Sequence, residues 1–169
     1  MESTAAYPWR PTALRQALGL MGIVVVCFVV AGVGGAVTNG SLGDWYPALK
    51  KPAWTPPDWV FGPVWTVLYL MMAVAAWLVW KTSGWPRARV ALGLFGAQLA
   101  LNLAWSWLFF GLRSPGLAAV EVLVLWLAIA ATAAAFLRHS RLAAILLLPY
   151  LAWTTYATAL NWAIYWMNR

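Results

Sequence analysis

Charge is what this sequence has least of: Asp, Glu, Lys and Arg make up 9% of its 169 residues, where a soluble domain carries about a quarter. So little polar surface cannot cover a water-facing globule, which excludes an ordinary soluble domain and leaves lipid as the solvent for most side chains. Acids are scarcest, with Glu2, Asp44, Asp58 and Glu121 the whole set of four. No acid–base pair or activated nucleophile can be read from them. Cys27 is the one cysteine, so an intrachain disulfide and a cysteine metal cluster are both excluded. His139 is the one histidine and sits between Arg138 and Arg141 in a short polar stretch. A cytochrome would place its axial histidines inside the apolar runs, so that class is excluded too. There is no low-complexity segment, linker or clear internal repeat, and residues 1–169 read as one domain. The net charge of +7 does not imply nucleic acid, because the basic residues are spread over the ends of apolar runs and form no cluster.

Long apolar runs are what is there. A helix needs about 20 mostly apolar residues to cross a bilayer, and five stretches qualify: 17–38, 63–80, 90–112, 115–137 and 142–167. A transmembrane β-barrel would instead show alternating segments of about ten residues; the runs 118–136 and 142–149 do not alternate, and read as helices. The first run is longer than the roughly 7–15 apolar residues of a signal peptide and is taken as helix one. The fold expected is all-α, a membrane bundle of five helices. Short connections at 81–89, 113–114 and 138–141 make neighbours antiparallel. Arg10, Arg15, Lys81, Arg87, Arg89, Arg138 and Arg141 then share one end, against Lys50, Lys51, Arg113 and Arg169 at the other. That excess puts the N-terminus in the cytoplasm, in a bacterial cell membrane.

The first connection, about 39–62, is different in kind. It carries Trp45, Tyr46, Trp54, Trp59 and Phe61 together with Pro47, Pro52, Pro56 and Pro57. Flexible linkers are Gly/Ser-rich, whereas this segment is stiffened by proline and loaded with aromatic surface that has to pack. It is expected to form a lid over the mouth of the bundle. At its end Thr55 is expected to N-cap helix two, with Pro56 in the first helical position and Asp58 as the acid of a capping box.

Tryptophan is unusually common, at 14 residues. Interfacial belts account for those at span ends, but Trp65, Trp105, Trp107, Trp126 and Trp153 lie within spans. Converging indoles offer flat apolar faces and N–H donors, a set suited to a flat aromatic ligand. On helix five, Tyr150, Trp153, Ala157 and Asn161 share one stripe, with Ala157 leaving a recess. On helix three, Asn102 and Ser106 lie one turn apart beside Trp105. Asn102 and Asn161 suit either a ligand contact or a bond to a neighbouring helix. Gly93, Gly96, Ala97, Ala100 and Ala104 form a small-residue face on helix three, which fits a homodimer contact or close packing within the monomer. Glu121, the one acid inside a span, suits either a function in the membrane or an ion pair with Arg113. Leu160, Tyr165 and Arg169 fit a loose spacing proposed for sterol contact.

The run Trp45-Tyr46, Leu49-Lys50-Lys51-Pro52-Ala53-Trp54-Thr55-Pro56-Pro57 through Trp65 resembles the signature of the TspO/MBR family. The likeness continues through Gln98, Asn102 and Trp105, Glu121 and Trp126, and Pro149 to Trp153 with Ala157, Thr158, Leu160 and Asn161. The resemblance implies a five-helix membrane bundle, often dimeric, that binds porphyrins such as protoporphyrin IX and haem and requires no cofactor or metal. It implies sterols and benzodiazepine-site compounds as further ligands. By motif position the ligand site would be lined by Tyr46, Trp54, Trp65, Asn102, Trp153, Ala157 and Asn161. Trp65 and Trp153 match positions linked to light-dependent porphyrin breakdown, so an enzymatic role for that pair stands beside sensing, sequestration and transport.

Overall fold

A computed structural model describes residues 9–169, and within them every regular element is helical. The chain runs α1 (Ala13–Asn39), α2 (Trp45–Ala48), a 3-10 turn (Asp58–Val60), α3 (Phe61–Ser106), a π-helical turn (Trp107–Gly111), α4 (Pro115–Leu137), α5 (Arg141–Leu146) and α6 (Leu148–Met167). Among the described residues, four continuous helical stretches are long and apolar enough to cross a membrane: Ala13–Asn39, Asp58–Gly111, Pro115–Leu137 and Arg141–Met167. Val25, Val29, Leu70, Val120 and Leu127 are all exposed on them. Such surface belongs in lipid, and the protein is an integral membrane bundle.

At 46 residues, α3 would be about 69 Å long if straight, more than twice a hydrocarbon core of about 30 Å. It is not straight. Gly84 has φ 66° and ψ 169°, outside the helical region, and folds the element into two arms, 61–83 and 85–106. Two side-chain contacts fix the arms as antiparallel neighbours: Tyr69 Oη donates to Asn102 Oδ1 at 2.6 Å, and Gln98 Nε2 reaches Met72 Sδ at 3.8 Å. The loop expected at 81–89 is therefore a one-residue turn. Glycine supplies the left-handed φ, and Pro86 falls in the first turn of the second arm, where its missing N–H is not needed. Trp9 closes over the turn, donating from Nε1 to the Trp80 carbonyl at 3.1 Å.

The other boundaries move for equally local reasons. α1 starts earlier than expected, at Ala13, because Thr12 caps it through Oγ1. Thr55 does not cap helix two: its hydroxyl donates to Pro52 O at 2.8 Å, closing a turn, and the helix begins at Asp58 instead. The second arm of α3 leaves α geometry after Ser106, and Leu112 N–H bonds to Trp107 O at 2.8 Å across a wider turn. The last span bends at Leu147, because Pro149 has no N–H to continue the ladder.

The main core joins Tyr69, Met72, Phe95, Ile129, Phe136 and Tyr150 from both arms of α3 and from α4 and α6. By contrast α1 buries only Cys27 and Gly34 and lies at the periphery. The division of charge between two ends has a structural counterpart. Ser83 Oγ lies 2.8 Å from His139 Nδ1 at one end, and Arg113 pairs with Asp44 at 3.3 Å at the other.

Candidate functional site

The first loop is tied down at several points across the end of the bundle. Ser41 Oγ donates to Phe110 O at 2.7 Å, and Tyr156 Oη donates to Trp54 O at 2.8 Å. Lys50 and Asn168 exchange two hydrogen bonds: Lys50 N–H donates to Asn168 Oδ1 at 2.9 Å, and Asn168 Nδ2 donates to Lys50 O at 2.8 Å. Aromatic contacts finish the seal, with Trp45 edge-on to Phe109 at 5.6 Å and Tyr46 tilted against Phe110 at 5.6 Å. Lys51 Nζ lies 4.1 Å from the centre of the Tyr46 ring and donates to the Tyr46 carbonyl at 3.0 Å. Burial, followed by the negative charges of Asp58 and Tyr156, pushes the Tyr46 phenol up to about 12. The Asp44 carboxyl is held below its ordinary range, chiefly by the Trp45 backbone N–H and then by Arg113.

Beneath this loop is a cavity of about 600 Å³. Its floor and far wall are aromatic, formed by Trp65 and Tyr69 from the first arm of α3, Trp105 from the second, Phe110 from the π-helical turn, and Trp153 with Ala157 from α6. Phe61 packs edge-on against Trp153 at 5.8 Å, and Trp65 lies 5.8 Å from Tyr69 and 6.1 Å from Tyr150. Its near wall is α1, where Ala31, Gly32, Gly34 and Gly35 leave room and Thr38 and Asn39 approach the mouth. The loop adds Leu42, Tyr46, Asp58 and Trp59. A smaller void of about 40 Å³ adjoins it between Tyr46, Phe109, Leu160 and Asn161.

The structure brings together Tyr46, Trp65, Asn102, Trp153 and Ala157 on the larger cavity, and it places Asn161 and Trp54 elsewhere. Asn161 borders only the smaller void; its Oδ1 accepts from Trp105 Nε1 at 3.0 Å and its Nδ2 donates to Pro115 O at 2.8 Å. Trp54 is half exposed, edge-on to Tyr156 on the outside of the loop. Asn102 reaches the cavity wall with its amide already engaged, accepting from Tyr69 Oη and donating to Tyr150 Oη at 2.9 Å. Among the described residues no hydrogen bond involves the indole N–H of Trp65 or Trp153, or the hydroxyl of Tyr46, which leaves these three donors for a ligand. The small-residue wall of α1 went unread in the sequence, although the run Ala31-Gly32-Val33-Gly34-Gly35 was its visible signal. Tyr69, one turn beyond Trp65, was likewise missed.

Two further motifs resolve structurally. Glu121 does not pair with Arg113, which turns to Asp44; both Glu121 carboxyl oxygens are buried and have no hydrogen-bond partner among the described residues. The sterol-type spacing presents no common face, because Leu160 is buried, Tyr165 packs on Gly116 and Arg169 lies over Trp166.

The chain is similar to known membrane proteins over most of its length. The profile of the TspO/MBR family matches residues 23–167. The translocator protein of Homo sapiens is 44% identical, the match covering 97% of this chain and 94% of that one. The tryptophan-rich protein TspO of Chlorobaculum tepidum is 42% identical, over 91% of this chain and 98% of that protein. The tryptophan-rich sensory protein of Cereibacter sphaeroides is 41% identical, over 82% and 88% respectively.

Proposed function

Because this chain belongs to the TspO/MBR family, we propose that the cavity beneath its first loop binds a tetrapyrrole, in a sensory, sequestering or transporting role. The observation that carries the reading is the placement of Trp65, Trp105 and Trp153 around one void of about 600 Å³, a volume within the range of small-molecule sites. Indole faces suit the flat macrocycle, and the free N–H groups of Trp65 and Trp153 supply polar contacts without distorting the bundle. The lining includes no histidine, cysteine or methionine. Tyr46 and Tyr69 are the lining side chains able to ligate a haem iron, so both metal-free protoporphyrin IX and haem are carried as candidate ligands. Sterols and benzodiazepine-site compounds are weaker candidates, being served by the apolar walls alone.

Titration of the purified protein with protoporphyrin IX in darkness, followed by tryptophan quenching, tests the reading. Trp153→Ala is expected to weaken binding about tenfold, the equivalent of about 1.4 kcal/mol of lost stacking. An unchanged affinity would remove Trp153 from the site.

A second reading, light-dependent oxidative breakdown of the bound porphyrin, is favoured by the contacts of Trp65 with Tyr69 and Tyr150. Oxygen would be the oxidant and an indole the electron donor to the photoexcited ring. Illumination of the complex in air should then bleach the porphyrin faster than free porphyrin, and Trp65→Phe with Trp153→Phe should abolish the difference.

The assembly we propose is a homodimer through the second arm of α3. Gly93, Gly96, Ala97 and Ala100 are exposed there, and a side chain added at Gly93 or Gly96 would meet nothing within 4 Å, so this face is unused within the monomer. The excess of Lys and Arg at the Trp9 end supports a cytoplasmic side for that end, in a bacterial cell membrane on our reading, with the cavity mouth on the outer side.

A further inference from the structure

We propose that the Trp9 end of the bundle is a docking surface for anionic phospholipid, whose headgroup phosphates meet a rim of arginines that the protein leaves without acids. The proposal is independent of the tetrapyrrole reading and of which side of the membrane this end faces.

Three segments, far apart in sequence, build the surface, and side-chain contacts hold them together. The start of α1 carries Arg10 and Arg15, the Gly84 turn carries Lys81, Arg87 and Arg89, and the α4–α5 connection carries Arg138 and Arg141. Trp77 Nε1 donates to Gln16 O at 3.0 Å and Trp9 Nε1 to Trp80 O at 3.1 Å, tying the start of α1 to the first arm of α3. Ser83 Oγ and His139 Nδ1, 2.8 Å apart, tie the turn to the α4–α5 connection. The Lys81 ammonium packs 4.6 Å from the centre of the Trp77 ring, and the six arginines are exposed.

No acid of the described residues answers these charges. Asp44 and Asp58 belong to the first loop at the other end. Glu121 lies about 24 Å along α4 from the basic end of that helix at Leu137. Glu2, the remaining acid of the chain, offsets at most one of the seven charges. Among the described residues none of the seven side chains makes an ion pair or a hydrogen bond. The opposite end is different, because its cations are engaged: Arg113 with Asp44, Lys51 with the Tyr46 carbonyl and Arg169 with the Trp166 ring.

The charges call for an anion, and the surface beside them calls for one with acyl chains. Leu14 and Leu18 flank Arg15, Val90 follows Arg89, and Leu137 and Leu142 flank the Arg138–Arg141 segment; all five are more than half exposed. Trp85, 60% exposed on the turn, supplies an indole at headgroup level. A soluble anion would satisfy the arginines and leave this aliphatic rim uncovered, whereas a phospholipid meets both. Each Lys or Arg beside a span favours anionic lipid on the order of fivefold.

The test reconstitutes the purified protein in phosphatidylcholine bilayers containing dibrominated phosphatidylglycerol, with dibrominated phosphatidylcholine as reference, and reads the quenching of tryptophan emission. Wild type is expected to prefer phosphatidylglycerol about fivefold or more, and the preference should collapse in 1 M salt, where screening acts over about 3 Å. Arg87→Gln with Arg89→Gln, and separately Arg138→Gln with Arg141→Gln, should each lower it at least about threefold. Arg169→Gln, at the opposite end, should leave it unchanged. Equal melting temperatures in phosphatidylcholine alone would show that the variants are folded; if a double variant does not fold, the single substitutions Arg87→Gln and Arg141→Gln take its place. No preference in wild type, or one that survives both substitutions or 1 M salt, overturns the proposal. So does displacement of the brominated lipid by inorganic phosphate or soluble poly-glutamate at matched charge, which would assign the surface to a water-soluble anion.

Discussion

Asn161 and Asn102 show how a polar side chain inside a bilayer is committed. Each amide bonds both a donor and an acceptor on other helical segments. Asn161→Ala would leave Trp105 Nε1 without its partner, at a cost of about 1–3 kcal/mol, and would remove the second acceptor contact at the Pro115 carbonyl. A melting temperature lowered by several degrees is expected, with a smaller loss of porphyrin affinity than Trp153→Ala produces. Sequence could mark these asparagines as important but could not choose between ligand and neighbour, because the partner of a polar atom is set by helix rotation and not by spacing. Trp54 failed to reach the cavity for a related reason: proline turns decide which face of a loop looks inward. Tyr46 gives a pH test. Its phenol holds its proton up to about 12, against an ordinary value of 10.0, so the stability it lends is complete below pH 10 and is lost as pH rises through 12. Alkaline unfolding followed by tryptophan emission should show this loss in wild type, and Tyr46→Phe should reduce it.

Gly84 governs the largest element. A β-carbon there would lie 2.8 Å from Trp9 Cδ2, at a φ that L-residues rarely adopt. Gly84→Ala is therefore expected to cost about 1–3 kcal/mol, measurable as a lower thermal midpoint in detergent. The Trp9→Ala variant would relieve the clash but not the strain, so combining the two should recover only part of the loss. The number and order of the spans could be read from apolar runs alone, since lipid leaves few alternatives for a chain this poor in charge. The ends of the helices could not be read as well. Thr55 has the right chemistry for a cap but is held by Pro52, and a segment that looked like a nine-residue loop closes on one glycine. The first loop responds to acid through Asp44, whose depressed value means that its contribution is present above the usual 3.8 and disappears as pH falls below it. Amide protection across 40–57, corrected for the intrinsic pH dependence of exchange, should fall on acidification, and less so in Asp44→Asn, which has already lost the charge.

For the whole molecule, the aromatic half of the site was legible and the small-residue half was not. Tryptophans within spans announce themselves, whereas glycines in an apolar helix look the same whether they face lipid, a partner or a void. Gly32 and Gly35 on α1 and Gly93 and Gly96 on α3 are alike in sequence, yet the first pair walls the cavity and the second faces outward. Gly93→Leu with Gly96→Leu should leave folding and porphyrin binding intact while converting a dimer to a monomer. Cross-linking and light scattering in detergent would read the change, and an unaltered mass would place any dimer contact elsewhere.

The one-residue turn at Gly84 also bears on how the chain enters a membrane during synthesis. With no slack between them, the arms 61–83 and 85–106 cannot be handed to the lipid one after the other as independent segments. A hairpin entering as one unit is the route this short turn would favour. Lys81, Arg87 and Arg89 lie close to that tip, and under the proposed orientation the cost of carrying three positive charges across the bilayer would keep it on the cytoplasmic side. On that account the Gly84 bend joins Arg10 and Arg15 ahead of α1 as a determinant of orientation, and charge-reversal at Lys81, Arg87 and Arg89 is the change expected to disturb it.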